Sequence, residues 1–205
     1  MIFSGPLILE TILRTKAALT RGLVPDLPAI DVNPFEESHL GPNSLDVCLD
    51  DSMLIYPTTQ ISKNGDARWW LDPNEENLTR EHPLQSDGVW FLEPGRLYLA
   101  STRERTVTCG VVPYLDGRSS IGRLGIQIHM TAGRGDDGFG ESLWACGGCA
   151  WTMEISVLHK VVLRPGDRIG QLTFMEMKGS RKPYKGRYSY QEGPTPSRFW
   201  KDSDA

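Results

Sequence analysis

The sequence predicts a mainly β fold, a barrel or jelly-roll-like sandwich with one short helix at its N-terminus. Three observations lead there. Glycine and proline number 21 and 14 in 205 residues, more than helical bundles tolerate. No stretch holds a long helical period. From Val89 onward short apolar segments recur between Gly, Pro or charged turns, the texture of closely spaced antiparallel strands.

In chain order, Ser4 is placed to cap a helix through Ile12 and Leu13, with Leu7, Ile8, Thr11 and Ile12 near helical spacing. Pro25, Pro28 and Pro34 each remove a backbone donor, so Leu23 to Pro34 is expected to be an extended connection. Leu45, Val47 and Leu49 alternate with Ser44, Asp46 and Cys48, as in a half-buried strand. Thr58 to Asp87 is polar with Asn64-Gly65 and Asp72-Pro73 turns, which predicts a long excursion outside the core. Strands are expected at Val89–Leu92, Arg96–Thr102, Thr106–Val112, Gly125–Met130, Trp151–Val157, Lys160–Leu163 and Ile169–Met175. The whole chain, 1–205, reads as one domain, with 1–29 a helix and connection and 178–205 a C-terminal tail that closes over a site or is disordered.

A net charge of −4 argues against broad binding to nucleic acid, which needs clustered cations, yet leaves room for a local cationic pocket. No apolar run approaches the roughly 18 to 20 residues of a membrane span, and no signal peptide opens the chain. A cytoplasmic protein is expected, whether of a cell or of a phage-infected host. Four cysteines, Cys48, Cys109, Cys146 and Cys149, are too few and too uneven for a disulfide framework. Cys146-Gly147-Gly148-Cys149 has the spacing of half a zinc site or a redox pair, but Cys48, Cys109, His129 and His159 supply no second pair at ligand spacing. A catalytic zinc is not expected, and the His-x-Glu with Pro-Cys-x-x-Cys of zinc deaminases is missing.

The densest polar cluster is Gly117-Arg118-Ser119-Ser120-Ile121-Gly122-Arg123. Two guanidinium forks, two hydroxyls and flanking glycines suit a phosphate chain, while the same composition also suits a solvated turn before a helix. Gly133-Arg134-Gly135-Asp136-Asp137-Gly138 places paired carboxylates in a turn, able to hold a water or sugar hydroxyl or merely to cap their own backbone. Glu154, in Trp151-Thr152-Met153-Glu154-Ile155, shares a strand face with Thr152; on an inner face it must be paired or functional.

Together these segments resemble the dCTP deaminase family of the dUTPase-like superfamily. The resemblance covers Ile30–Phe35, Gly41–Val47, Leu92–Gly95, Ala100–Thr102, Asp116–Gly125, His129–Gly133, Asp136, Gly138-Phe139, Thr152–Glu154, Pro165-Gly166, Ile169–Leu172 and the tail residues Pro183-Tyr184, Arg187-Tyr188 and Gln191–Arg198. It implies a distorted jelly roll with a short N-terminal helix and a flexible C-terminal tail. It also implies a homotrimer with active sites between subunits, and Mg2+ arriving with a dCTP or dUTP substrate. Glu154 would shuttle the proton as water adds to cytosine C4; Ser119, the Ala132 carbonyl and Arg123 would place that water. Arg118, Ser119, Ser120, Ile121, Gly122, Arg123, Thr152 and Met153 would contact nucleotide, and Asp136 would meet the deoxyribose and orient water at the α-phosphorus. Tyr184, Arg187 and Gln191 would close from the tail.

The spacing from Asp136 to Glu154 is longer than the family's usual one, by a segment holding Glu141, Trp144, Cys146 and Cys149, which makes Glu141 a rival carboxylate. The turn after Glu154 is short, and Arg187 stands where a lysine is common. Gly122 and Gly133 are similar to the branch that forms dUMP, whereas Arg134 is similar to the branch that stops at dUTP. The reading is dCTP deamination, with coupled diphosphate release; the alternatives are a dUTP or dCTP pyrophosphohydrolase without deamination, and a silent nucleotide-sensing module.

Overall fold

The computed structural model describes residues 1–202; the last three residues of the expected tail, 203–205, lie outside the described residues. Helix α1 spans Gly5–Thr20, with Ser4 Oγ accepting from the Leu7 N–H at 3.4 Å and Pro6 in its first turn. It runs about two turns beyond the expected end because its far half has its own dock. Thr15 Oγ1 accepts from Ile30 N–H at 3.3 Å, and Lys16 Nζ reaches Asp31 at 2.9 Å and the Val32 carbonyl at 2.8 Å. Ile8 and Ile12 are fully buried beneath it.

Those docking partners correct one expectation. The proline-rich connection contains strand β1, Ala29–Asn33, paired antiparallel with β7, Tyr98–Cys109. The prolines Pro28 and Pro34 bracket it rather than interrupt it, so no ladder donor is lost. Strand β2, Leu45–Ile55, outruns its expected end at Leu49 through a register shift between Leu49 and Met53, where it turns to keep pairing with β7. The polar excursion holds only two-residue strands: β3 (Gln60–Ile61) pairs with β4 (Ala67–Arg68), and β5 (Arg80–Glu81) adds to β2.

Strand β6, Trp90–Leu92, falls where the sequence placed it. The two strands expected at Arg96–Thr102 and Thr106–Val112 are one strand, β7, through the charged Arg103-Glu104-Arg105. That run does not turn because Glu104 faces inward, its Oε2 accepting from the Cys48 N–H at 2.7 Å. Its neighbours face out, Arg103 to Glu36 at 2.8 Å and Arg105 to the Glu192 carbonyl at 3.0 Å. Gly110, at φ +74°, makes the turn into β8, Val111–Gly117. The one-turn helix α2, Ser119–Gly122, follows, then β9, Ile126–Gln127, shorter than expected, then β10, Cys149–Val157. Strands β11 (Val161–Leu163) and β12 (Arg168–Glu176) complete the set.

The main sheet runs β8-β12-β2-β7-β10-β9, with β1 and β5 added on β7 and β2, and curls into a nearly closed antiparallel barrel; β6 and β11, far apart in sequence, form a separate two-stranded ladder. Its interior is filled by Leu45, Val47, Leu49, Met53, Tyr98, Leu115, Met153, Ile155, Leu172 and Phe174. No helix among the described residues is long and apolar enough to cross a membrane.

Candidate active site

A cavity of about 460 Å³ opens at one side of β10. Its position follows from local sequence. Along β10 the pattern alternates, so Met153 and Ile155 are fully buried while Thr152 and Glu154 stay partly exposed on the opposite face. A register shift between Ala150 and Thr152 bulges Trp151 into the cavity wall, where its indole N–H donates to Thr106 Oγ1 at 2.9 Å and its ring lies 4.7 Å from that of Phe139.

The opposite wall is the segment after β9. It lies against β8 through Leu115 N–H to Gly133 O at 2.6 Å and Gly135 N–H to Pro113 O at 2.9 Å. Only glycines allow that approach: a Cβ on Gly133 would meet the Leu115 carbonyl at 2.5 Å, and one on Gly135 the Trp151 ring at 2.3 Å. Ala132, Arg134 and Asp136, between and beside these glycines, are thereby presented to the cavity. The same segment anchors Glu154, whose Oε2 accepts from Met130 N–H at 3.2 Å. This bond draws the chain out of the β9 ladder after Gln127, which explains the short strand.

The tail forms the third wall. Gln191 is buried and bonds Ala150 twice, its carbonyl accepting from Ala150 N–H at 3.1 Å and its Nε2 donating to Ala150 O at 2.7 Å. Thr195 N–H donates to Thr152 Oγ1 at 3.0 Å, Ser197 N–H to the Tyr56 hydroxyl at 3.1 Å, and Tyr184 N–H to Asp137 O at 2.7 Å. Burial pushes the Tyr56 phenol up from its usual pKa, with Tyr188 and Glu154 pushing the same way, against the pull of the Ser197 N–H.

Of the residues singled out from sequence, Ala132, Asp136, Thr152, Glu154, Tyr184 and Gln191 line this one cavity. Met153 does not; its side chain is in the barrel core, one position out of phase with Thr152 and Glu154. Arg187 does not line it either, its guanidinium donating to the Arg198 carbonyl at 3.1 Å. Arg118, Ser119, Ser120, Ile121, Gly122 and Arg123 are also absent from the wall. They sit on and around α2, where Arg118 pairs with Asp46 at 3.1 Å and donates to the Arg168 carbonyl at 3.1 Å, Ile121 packs on the core, and Ser119, Ser120 and Arg123 are exposed.

The rival carboxylate is engaged elsewhere. Glu141 is gripped in bidentate fashion by Arg181, at 3.1 and 2.5 Å, while Asp137 takes the same guanidinium through Nε at 2.7 Å. These charges hold the Arg181 pKa up, the Glu141 hydrogen bonds foremost. The extra segment is a 3-10 turn, Glu141–Cys146, docked on β7. Cys146 and Cys149 are free thiols, Cys149 buried and bonded to the Ser189 carbonyl at 3.2 Å, and the pair joins no three-donor cluster among the described residues.

Sequence reasoning missed Tyr56, Met130, Arg134, Phe139, Trp151, Tyr188, Thr195 and Ser197 as cavity residues. Met130, Phe139, Tyr188, Thr195 and Ser197 carried a signal, since all five fall inside segments of family resemblance. Tyr56 and Trp151 carried none, because a bulge and a tail contact put them there.

A dCTP deaminase-like family model matches residues 19–177. A protein named "dCTP deaminase, dUMP-forming" from Cytophaga hutchinsonii is 37% identical over 174 residues, 84% of this chain and 90% of that protein. One of the same name from Leptospira biflexa is 37% identical over 84% of this chain and 89% of its own length. The crystal structure of a 2'-deoxycytidine 5'-triphosphate deaminase from Agrobacterium tumefaciens superposes with a TM-score of 0.53 at 17% identity over 86% of this chain, a likeness of fold. This chain spans about half of that one, 48%.

Proposed function

The chain belongs to the dCTP deaminase-like family, and from that premise we propose that it converts dCTP to dUMP, ammonia and diphosphate. The observation that carries this reading is the convergence of Glu154, Ala132, Asp136, Thr152, Tyr184 and Gln191, distant in sequence, on a single cavity.

Glu154 is the proton shuttle. Its Oε2 is held by the Met130 N–H, so the carboxylate is oriented before substrate arrives, without a cation to quench its basicity among the contacts described. It takes a proton from water as the oxygen adds to cytosine C4 and delivers protons to the ring and the departing ammonia, leaving a C4 carbonyl. Trp151, Phe139 and the tail exclude bulk water around the base. Asp136 then orients a second water toward the α-phosphorus, and diphosphate leaves. The balance is dCTP plus two waters giving dUMP, ammonia and diphosphate.

The triphosphate requires the cationic segment Arg118–Arg123, and that segment stands outside this chain's own cavity. A homotrimer in which a neighbouring copy supplies α2 completes the site: exposed Ser119, Ser120 and Arg123 are turned outward, available to a partner. Mg2+ fits as a nucleotide-borne ion. Such an ion takes most of its oxygens from phosphates and water and one or two from carboxylates, and Asp136 is an exposed carboxylate on the cavity wall. Asp136 would hold it, and it would supply charge neutralisation on the triphosphate. The cytoplasm, where deoxynucleotides are made, is the compartment this function implies. The described residues act as one domain, with 178–202 as its closing tail.

Incubation with dCTP and Mg2+, with nucleotides resolved and ammonia counted, tests the reading. It predicts dUMP and one ammonia per nucleotide. dCMP without ammonia defeats it, and dUTP as the final product removes the diphosphate step.

A further inference from the structure

Away from the cavity, at the junction of β2 and β7 with the loop that follows β1, the fold gathers three side chains of different chemistry. His39 closes the short 3-10 turn Glu37–His39, Cys48 lies on β2 and Glu104 on β7, and one donor atom from each falls within 4.8 Å of the others. We propose that His39, Cys48 and Glu104 bind a divalent transition-metal ion of the zinc type.

The donor set is one imidazole nitrogen, one thiol sulfur and one carboxylate oxygen, which selects borderline ions such as Zn2+ or Co2+ over Mg2+ or Ca2+. The three come from three separate elements, so the site exists only in the folded chain. It is buried: Cys48 and the Glu104 side chain are 2% and 4% exposed, and the His39 side chain 10%. The charges also match. Arg103 and Glu36 neutralise one another at 2.8 Å over the site, and the Glu104 carboxylate is left with Arg103 only at 3.8 Å. A dication with the Cys48 thiolate and the Glu104 carboxylate sums to zero, which is the condition for burying these groups at low cost. The Cys48 N–H, donating to Glu104 Oε2 at 2.7 Å, orients that carboxylate from behind, as supporting hydrogen bonds do around bound metals.

The fourth position falls to water or to Glu36, whose Oε2 is 3.2 Å from His39 Nε2 and whose side chain, half exposed, gives the ion a way in. Binding converts Cys48–SH to a metal-bound thiolate, releasing that proton to solvent, while His39 coordinates as neutral imidazole. The role is structural. The ion ties the loop after β1 to both central strands in the middle of β7, five residues beyond Leu99, which lines the cavity.

The test uses the full chain, stripped by chelator and titrated with Zn2+ and, separately, Co2+. The expected result is one equivalent bound per chain, release of about one proton and a rise in melting temperature of roughly 5–10 °C at about a hundredfold excess over the dissociation constant. The Co2+ form gains the absorption of a thiolate–cobalt bond. That band disappears in Cys48→Ser and survives in Cys146→Ser. Because Cys48→Ser alters a buried position, His39→Gln at the rim supplies a second variant and loses the same equivalent. No stoichiometric binding, or a band that persists in both Cys48→Ser and His39→Gln, overturns the proposal, as does a band lost only in Cys146→Ser.

Discussion

Replacing Glu154 by Gln separates proton transfer from every other job of that side chain. The amide has the same length, and its carbonyl oxygen can still accept from the Met130 N–H, the 3.2 Å contact that anchors the native carboxylate. Thr152 keeps its bond to Thr195, so the tail wall is unchanged. What is lost is a base that takes a proton from water. General acid–base catalysis contributes typically 10²- to 10⁴-fold, about 2.7–5.5 kcal/mol of barrier, so ammonia release at saturating dCTP should fall by that factor. Nucleotide affinity, measured by equilibrium binding of dCTP, should change less than about threefold, because an exposed-face isostere leaves the cavity's shape intact. Glu141→Gln should give the opposite pattern. It breaks the bidentate grip on Arg181, costing about 1.5–3 kcal/mol of stability, with little change in kcat. Undiminished ammonia release by Glu154→Gln, together with its loss in Glu141→Gln, would refute the assignment.

The remaining predictions concern the cavity's walls and the fold beneath them. Tyr56→Phe removes the acceptor for the Ser197 N–H, so KM for dCTP should rise about 2- to 10-fold with kcat nearly constant; a kcat effect without a KM effect contradicts the tail's closing role. Gly140→Ala forces a Cβ to 2.1 Å from the Thr106 carbonyl at φ +79°. It should cost at least about 2 kcal/mol in a urea melt, and an unshifted midpoint would contradict the docking of the extra segment. Burial pushes the Cys109 thiol from 9.0 up to about 12. Its folded pKa being raised, the unfolded chain loses the proton first as pH climbs above 9. Stability should then fall by up to about 1.4 kcal/mol per pH unit toward 12, a slope that Cys109→Ala flattens in denaturant melts.

Much of the barrel was legible because its signals are local. The alternation of Met153 and Ile155 with Thr152 and Glu154 named β10 and put Glu154 on one face with Thr152, without saying whether that face was the inner or the outer one. Three misreadings share one cause, a tertiary partner that reverses a local signal. Glu104 looked like part of a charged turn and is an inward ligand for the Cys48 N–H, so β7 continues. The prolines around Ala29–Asn33 looked like a linker and frame a strand that pairs with Ala29↔Cys109 through Asn33↔Arg105. Met130 looked like the end of a strand and is held by Glu154 instead. The site was half legible: the motif residues on β10, on the glycine-rich segment and in the tail meet in one cavity, while the arginine–serine segment on α2 does not line it. Composition marks that segment for anion binding, and within one chain it stands outside this cavity.

Running the reaction from dCTP and Mg2+ in heavy-oxygen water and weighing the products follows both proposed attacks at once, since each leaves one solvent oxygen in a known place. The expected product is dUMP carrying two heavy oxygens, one at uracil C4 and one on its phosphate, with none incorporated into the diphosphate by the enzyme. dCMP labelled only on phosphate, or label delivered to the diphosphate, would contradict it.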